Sequence, residues 1–219
     1  MGNLKASGTC LFLLQKIFAR MEHMQFAPKY SSHFLFGNAL IQERISIMII
    51  LGIDPGYAII GYGVIRSQGG RYQPLEHGAI VTRAEEDFNR RLEIIYDSLT
   101  KVIEQWRPDA VSIEKLFFQN NQKTAIGVAE ARGVILLAAQ KAKLDIFEYT
   151  PLQVKMAVTG YGQAHKPQVM EMTRRLLCLK EVPKPDDTAD ALAMAICHGQ
   201  AAGSVLRRSM LRTAQGVGK

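Results

Sequence analysis

Residues 51–63, LGIDPGYAIIGYG, place an aspartate directly after an almost wholly apolar run. The run extends from Ile45 to Ile53 and has the composition of a strand that is buried on both faces of a sheet. Asp54 follows at once, and Pro55-Gly56 is a turn signal. Two interpretations of Asp54 remain open here. It is either a solvated turn residue at the edge of the sheet or a carboxylate held there to bind a cation.

The hydrophobic pattern beyond this stretch predicts a single α/β domain. Strands are expected over 48–54, 58–66, 75–83, 109–118 and 145–150, and helices over 87–106, 121–143, 167–179 and 187–201, with another helix starting at Thr150-Pro151. Tight turns between the first three strands predict an antiparallel meander. The later strands alternate with helices, so the whole is a five-stranded mixed sheet with helices on its faces.

Composition and charge limit the classes of protein that remain. The chain has 219 residues and a net charge of +7, yet residues 48–203 carry 18 basic and 18 acidic side chains. Any affinity of this part for nucleic acid must therefore come from local clusters of charge. The three cysteines are far apart and form no CxxC pair, which favours a reduced, cytoplasmic protein without a disulfide framework. The apolar runs are too short to span a bilayer, so no membrane association is expected.

The chain divides into three parts by pattern. Residues 1–47 have no sustained periodicity and are expected to be a poorly ordered appendage, with Met48 as a natural start and translation from an upstream codon as the explanation. Residues 48–203 form the folded domain. Residues 204–219 are basic and are expected to be a flexible tail.

Three further acids lie, like Asp54, at the end of a predicted strand or near the start of a predicted helix. Glu114 ends the apolar part of the fourth strand, and Asp187 and Asp190 are three residues apart near the start of the last helix, so they share one helix face. Taken singly, each has an ordinary explanation as a solvated strand end or as a helix N-terminal acid. Brought together, the carboxylates would repel one another, and a hard divalent cation such as Mg²⁺ or Mn²⁺ would relieve that repulsion.

At these residues the sequence resembles the RuvC family of bacterial Holliday-junction resolvases. The motifs that carry the resemblance are ILGIDPG and GYGVI, IEKLFF, EARGVILLAA, FEYTPLQVKMAVTGYGQAHKPQV and DDTADALAMAICH, in that order. The resemblance covers residues 48–203. It implies a ribonuclease-H-like fold for that domain, a homodimer in the cytoplasm, and a partnership with the RuvA–RuvB branch-migration complex.

The resemblance also implies an activity in DNA recombination and repair. A four-way junction would be resolved by symmetric nicking of two strands of like polarity, which leaves ligatable 5′-phosphate and 3′-hydroxyl ends. The reaction would depend on two Mg²⁺ ions per active site, with Mn²⁺ as an alternative.

The functional positions of the family fall on seven residues of this chain. They are the catalytic and metal-binding acids Asp54, Glu114, Asp187 and Asp190, and the DNA-binding residues Phe117, Lys155 and Lys166. By resemblance, Asp54 would bridge the two metal ions. Phe117 would stack at the strand exchange point, and the two lysines would contact phosphates. His198 lies two turns beyond Asp190 and would either assist or cap the helix end before Gly199.

Two other classes of enzyme share some of these sequence features. The acids alone are equally compatible with a ribonuclease H that cuts RNA–DNA hybrids, or with a YqgF-type nuclease. A phosphotransferase of the sugar-kinase and actin-like ATPase group also opens with a Gly-Ile-Asp-x-Gly hairpin. However, the domain is short for two such lobes, and the sequence contains no second Asp-x-Gly.

Overall fold

The computed structural model describes residues 47–115 and 122–216. Within these residues the chain forms five strands and five helices. Their bounds are β1 Met48–Asp54, β2 Ile59–Gln68, β3 Arg71–Val81, α1 Phe88–Trp106, β4 Ala110–Glu114, α2 Gln122–Lys141, β5 Asp145–Tyr149, α3 Pro151–Thr159, α4 Lys166–Leu176 and α5 Asp186–Gly216. No helix in this part of the chain is long and apolar enough to cross a membrane.

The strands form one mixed sheet in the order β3-β2-β1-β4-β5. The β1 strand pairs antiparallel with β2 and parallel with β4, which in turn pairs parallel with β5. The predicted five-stranded mixed sheet is thereby confirmed. In the parallel pair Ile53 lies opposite Ile113. The next residues, Asp54 and Glu114, therefore lie side by side at the carboxyl ends of these two strands.

The central strand β1 is buried on both faces, as its composition predicts. Leu51 and Ile53 point into a core shared with α1 and α2, whereas Ile50 packs with residues of α3, α4 and α5 on the other face. All three side chains have no exposed surface. Truncating such a buried side chain to alanine typically costs ~2–5 kcal/mol of unfolding free energy. Since close packing holds β1 from both faces, the strand is a rigid base for Asp54.

Helix α5 lies unusually close to the sheet because the strands present glycines beneath it. A Cβ atom built on Gly61 would be 1.9 Å from the carbonyl oxygen of Asp187, and one on Gly52 would be 2.0 Å from that of Ala191. A Cβ on Gly63 would likewise meet the side chain of Leu192. The absence of side chains at these three positions allows the first turns of α5 to rest on β1 and β2.

Several boundaries differ by a few residues from those predicted, and the largest differences are at β3, β4 and α5. The β3 strand begins at Arg71, and β4 ends at Glu114, beyond which residues 116–121 lie outside the described residues. The predicted end of the last helix at residue 201 is wrong, because α5 continues to Gly216. Segment 204–216 was expected to be a flexible tail. It contains three Arg, two Leu and one Met, which are good helix formers, and no proline, so its helix propensity allows α5 to continue.

The start of α3 follows the sequence prediction. Thr150 is the N-cap, its side chain accepts a hydrogen bond from the backbone of Gln153, and the Gln153 side chain returns one to the backbone of Thr150. This capping box fixes the direction in which α3 leaves β5. The predicted appendage, by contrast, lies outside the described residues except for Ile47.

Candidate active site

A pocket opens at the edge of the sheet where β1 and β4 end. Its walls include three of the four predicted acids, Asp54, Glu114 and Asp190, and both predicted lysines, Lys155 and Lys166. Apolar side chains of α3, α4 and α5 complete it. Residues that are 136 positions apart in the sequence thus meet in one concave, partly apolar space, which is the usual setting of an active site.

Each acid reaches the pocket from a different element. Asp54 is the last residue of β1 and Glu114 the last residue of β4, and the parallel pairing of these strands fixes the two residues relative to each other. Asp190 is on α5, one turn from its start, and the glycine contacts beneath α5 hold that turn against the sheet. The sheet and the helix therefore supply separate halves of the acidic cluster.

The carboxylates strongly perturb one another. Burial, reinforced by the negative charges of Asp190, Glu114 and Asp187, raises the pKa of Asp54 to about 8. Burial and the charge of Asp190 also raise the pKa of Glu114. The raised pKa values mean that the ionised carboxylates are disfavoured in the metal-free fold, first because burial removes them from water and second because neighbouring acids repel them.

Lys166 places a positive charge beside these acids. Its Nζ lies 2.9 Å from Oδ2 of Asp190 and 3.9 Å from Oδ2 of Asp186. The hydrogen bond to Asp190 raises the pKa of Lys166, and the ammonium in turn opposes the rise of the Asp54 pKa. Asp186 is also hydrogen-bonded by Lys184 at 2.8 Å, and this bond lowers its pKa.

The remaining predicted site residues lie as follows. Asp187 is close enough for its charge to raise the pKa of Asp54, but it does not line the pocket. Lys155 lines the pocket from α3 and forms no salt bridge with any described residue. Phe117 lies in the 116–121 segment, outside the described residues.

The carboxylate oxygens of the pocket are suitable ligands for a hard divalent cation, but the side chains are not placed to bind one ion together. All three lining acids offer carboxylate oxygens, the ligands that Mg²⁺ and Mn²⁺ prefer. As placed, however, no three His, Cys, Asp or Glu residues in the described ranges are close enough together to bind one ion. An oxygen of Asp190 is hydrogen-bonded to the Lys166 ammonium. Rotation of side chains, with release of that ammonium, would be needed to complete a metal site.

His198 lies away from the pocket. The histidine is in the middle of α5, 3% exposed, with its ring stacked on Phe147 at 4.1 Å between centroids and Nδ1 2.8 Å from the hydroxyl of Tyr149. The expectation that it caps the helix end is wrong, because α5 continues for more than ten residues beyond it. It also does not line the pocket. Its contacts instead join α5 to the edge strand β5.

One residue that supports the site was missed in the sequence. Arg91 of α1 is buried and donates hydrogen bonds to the Tyr57 carbonyl at 3.2 Å and the Thr82 hydroxyl at 2.9 Å. Its guanidinium also lies 4.7 Å from the centroid of the Tyr57 ring. Arg91 thereby anchors the turn that follows Asp54. The signal was available, because Arg91 falls at helical spacing between Phe88 and Ile95 on the apolar face of α1.

Comparison with known proteins identifies relatives of this chain. Residues 50–198 match the family model for crossover junction endodeoxyribonuclease RuvC. The crossover junction endodeoxyribonuclease RuvC of Ruminiclostridium cellulolyticum is 57% identical over 152 residues, which cover 69% of this chain and 92% of that protein.

Solved structures show the same likeness. The RuvC structure of Thermus thermophilus is 37% identical, with a TM-score of 0.67 over 71% of this chain and 95% of that one. Thermus thermophilus RuvC in complex with a Holliday junction substrate is 36% identical, with a TM-score of 0.69 over 72% of this chain and 96% of that one.

Proposed function

Because the chain belongs to the RuvC family of crossover junction endodeoxyribonucleases, which resolve Holliday junctions, we propose that it cuts two strands of like polarity symmetrically at the pocket of Asp54, Glu114 and Asp190. One observation carries this proposal. Carboxylates from β1, β4 and α5 meet in one pocket beside two lysines, and burial, with the repulsion of the neighbouring acids, raises the pKa of Asp54 to about 8. Such perturbed acids in a cleft are typical of a catalytic centre.

We propose that the acids hold Mg²⁺, two ions per site, with Mn²⁺ as a substitute. When bound, such ions neutralise charge on the scissile phosphate and stabilise the attacking and leaving oxygens. Asp54 would be central to the ligand set, since the charges of both Glu114 on the neighbouring strand and Asp190 on α5 act on it. Asp187, near the pocket but not lining it, would join the set by rotation of its side chain.

The basic residues would position the DNA. Lys155 and Lys166 line the same pocket as the acids, from α3 and from the start of α4. An ammonium group at that place would bind the phosphate next to the scissile one and fix the register of the strand. Phe117 would stack on a base at the exchange point, a contact typically worth ~1–3 kcal/mol.

We propose that the functional unit is a homodimer that pairs through α2. Two exposed leucine-sized side chains, Ile126 and Leu137, flank Gly133 on this helix, and a Cβ atom at Gly133 would meet nothing within 4 Å. This exposed stripe, which also contains Glu130, places an apolar side chain on either side of a glycine and so permits close approach of a second copy. On family membership we also propose that the domain spans residues 48–203, acts in the cytoplasm and works with RuvA–RuvB.

Cleavage of a synthetic junction tests the proposal. An end-labelled four-way junction would be incubated with Mg²⁺ beside linear duplex and an RNA–DNA hybrid, using wild type and Asp54→Asn. We expect paired symmetric nicks on the junction alone, and their loss in the variant by roughly a hundredfold or more, since Asn removes one of the charges that hold the ions. Cleavage by Asp54→Asn at the wild-type rate would contradict the assigned site. Preferential cutting of the hybrid would contradict the assigned substrate.

A further inference from the structure

Lys166 is paired with a residue that we assign as a metal ligand. It is the first residue of α4, and its ammonium is 2.9 Å from Asp190 of α5. The side chain of Lys166 is 53% exposed and that of Asp190 is 31% exposed. The pair therefore lies at the rim of the pocket, where a lysine can move into solvent without any movement of its helix.

Lys166 is also the cation whose charge lowers the pKa of the half-buried Asp54. Its charge favours ionisation of Asp54, against the charges of Asp190, Glu114 and Asp187. Lys155 lines the same pocket, but within the described ranges it forms no salt bridge with these acids. Without a metal ion, Lys166 is thus the counter-charge of the acidic cluster.

Lys166 and a divalent cation compete for the same carboxylate. The ammonium occupies Oδ2 of Asp190, which leaves Oδ1 without a hydrogen bond from any described residue, and two cations held beside one carboxylate repel each other. The four-carbon side chain of Lys166 is flexible and its ammonium prefers hydration, so it can leave when a stronger counter-charge arrives. The rim of the pocket is also where a DNA phosphate would approach.

We propose that Lys166 is an exchangeable counter-cation. Its ammonium pairs with Asp190 in the metal-free protein, leaves Asp190 when the metal site fills, and then pairs with a phosphate of the bound junction. This inference rests on the metal site proposed above. Because DNA stabilises the released lysine, metal and junction should each strengthen the binding of the other, as linkage requires.

Direct measurement of Mn²⁺ binding, without DNA and without cleavage, tests the exchange. Free Mn²⁺ would be followed by electron paramagnetic resonance during titration of the full chain. We expect Lys166→Gln to bind Mn²⁺ about fivefold more tightly than wild type, since no partly exposed ion pair has to be broken. Lys166→Arg, which keeps the charge, should bind like wild type. Lys155→Gln is the matched control and should change the affinity by less than about twofold.

The outcomes separate this inference from the proposed function. Equal or weaker binding by Lys166→Gln would overturn the exchange, as would an equal gain in Lys155→Gln, which would indicate a general effect of charge. If Asp54→Asn binds Mn²⁺ as tightly as wild type, the metal site itself is wrong. If binding is lost in Asp54→Asn yet unchanged in Lys166→Gln, only the exchange fails. Thermal unfolding of each variant confirms that it is folded.

A junction with non-hydrolysable linkages at the exchange point tests the second half of the proposal. Added to the titration, it should raise the Mn²⁺ affinity of wild type by a larger factor than that of Lys166→Gln, because the variant has no ammonium to release. An equal factor in both proteins would overturn the transfer of Lys166 to a phosphate.

Discussion

At the scale of the residue, Asp54 makes the stability of the metal-free protein depend on pH. Its pKa in the fold is raised to about 8, well above that of the unfolded chain, so the folded state holds an extra proton between these values. The contribution of Asp54 to stability should therefore be complete below about pH 4, the pKa of the unfolded group, and fall as the pH rises towards 8. Thermal unfolding in EDTA should show a loss of roughly 2 kcal/mol or more in wild type over this range. The loss should be much smaller in Asp54→Asn, and parallel profiles would contradict the raised pKa.

Residue-scale features differed in how far the sequence could predict them. Asp54 and Glu114 were identifiable because each ends an apolar strand, where a carboxylate is out of place, and adjacent parallel strands end at the same edge. The pairing of Lys166 with Asp190 was not predictable, since it depends on how α4 and α5 pack, and helix periodicity does not specify the angle between two helices. Arg91 was overlooked because an arginine on an apolar helix face is normally assigned to solvent.

At the scale of the element, the position of α5 depends on Gly61. In Gly61→Ala the new methyl group would meet backbone atoms of Asp187 and Thr188, within 1.9–2.9 Å. These atoms cannot rotate away, so the start of α5 must shift by an amount on the order of 1 Å. A shift of that size in a catalytic group costs about a hundredfold in rate, and overpacking costs ~1–3 kcal/mol of stability.

Junction cleavage and thermal unfolding measure both effects. Gly203→Ala, on α5 itself, is the control for a glycine-to-alanine change, because a Cβ there meets nothing within 4 Å. It should leave cleavage unchanged and stabilise the helix slightly. A Gly61→Ala protein that cleaves at the wild-type rate would show that α5 can adjust without moving its acids.

Elements were predicted well where a hydrophobic period or a cap marked them. The Thr150 N-cap and the apolar run of β1 gave boundaries that the structure reproduces. The end of α5 was placed too early because its last turns lack an apolar face, and Gly199 and Gly203 resemble a helix stop. Gly199 instead sits in mid-helix, where a Cβ would approach the Tyr72 ring at 2.7 Å.

At the scale of the whole molecule, symmetric cutting requires two active sites held in one complex. The exposed stripe on α2 is our candidate for the surface that joins them, with Leu137 54% exposed. Leu137→Lys should dissociate the dimer in light-scattering chromatography, because it buries two charges against apolar surface. Junction nicks should then become single and unpaired. Val81→Lys, at a similarly exposed apolar residue on β3, should remain dimeric, and an intact Leu137→Lys dimer would exclude the α2 stripe.

The glycines beneath α5 have a consequence for how this domain can evolve. Gly52, Gly61 and Gly63 carry no functional group, yet every other amino acid would add atoms to space that α5 already occupies. A substitution at any of these codons would displace α5 and with it the acids that the helix carries, even though the strands themselves could accept the new side chain. These three positions therefore cannot change neutrally for as long as α5 carries half of the acidic cluster.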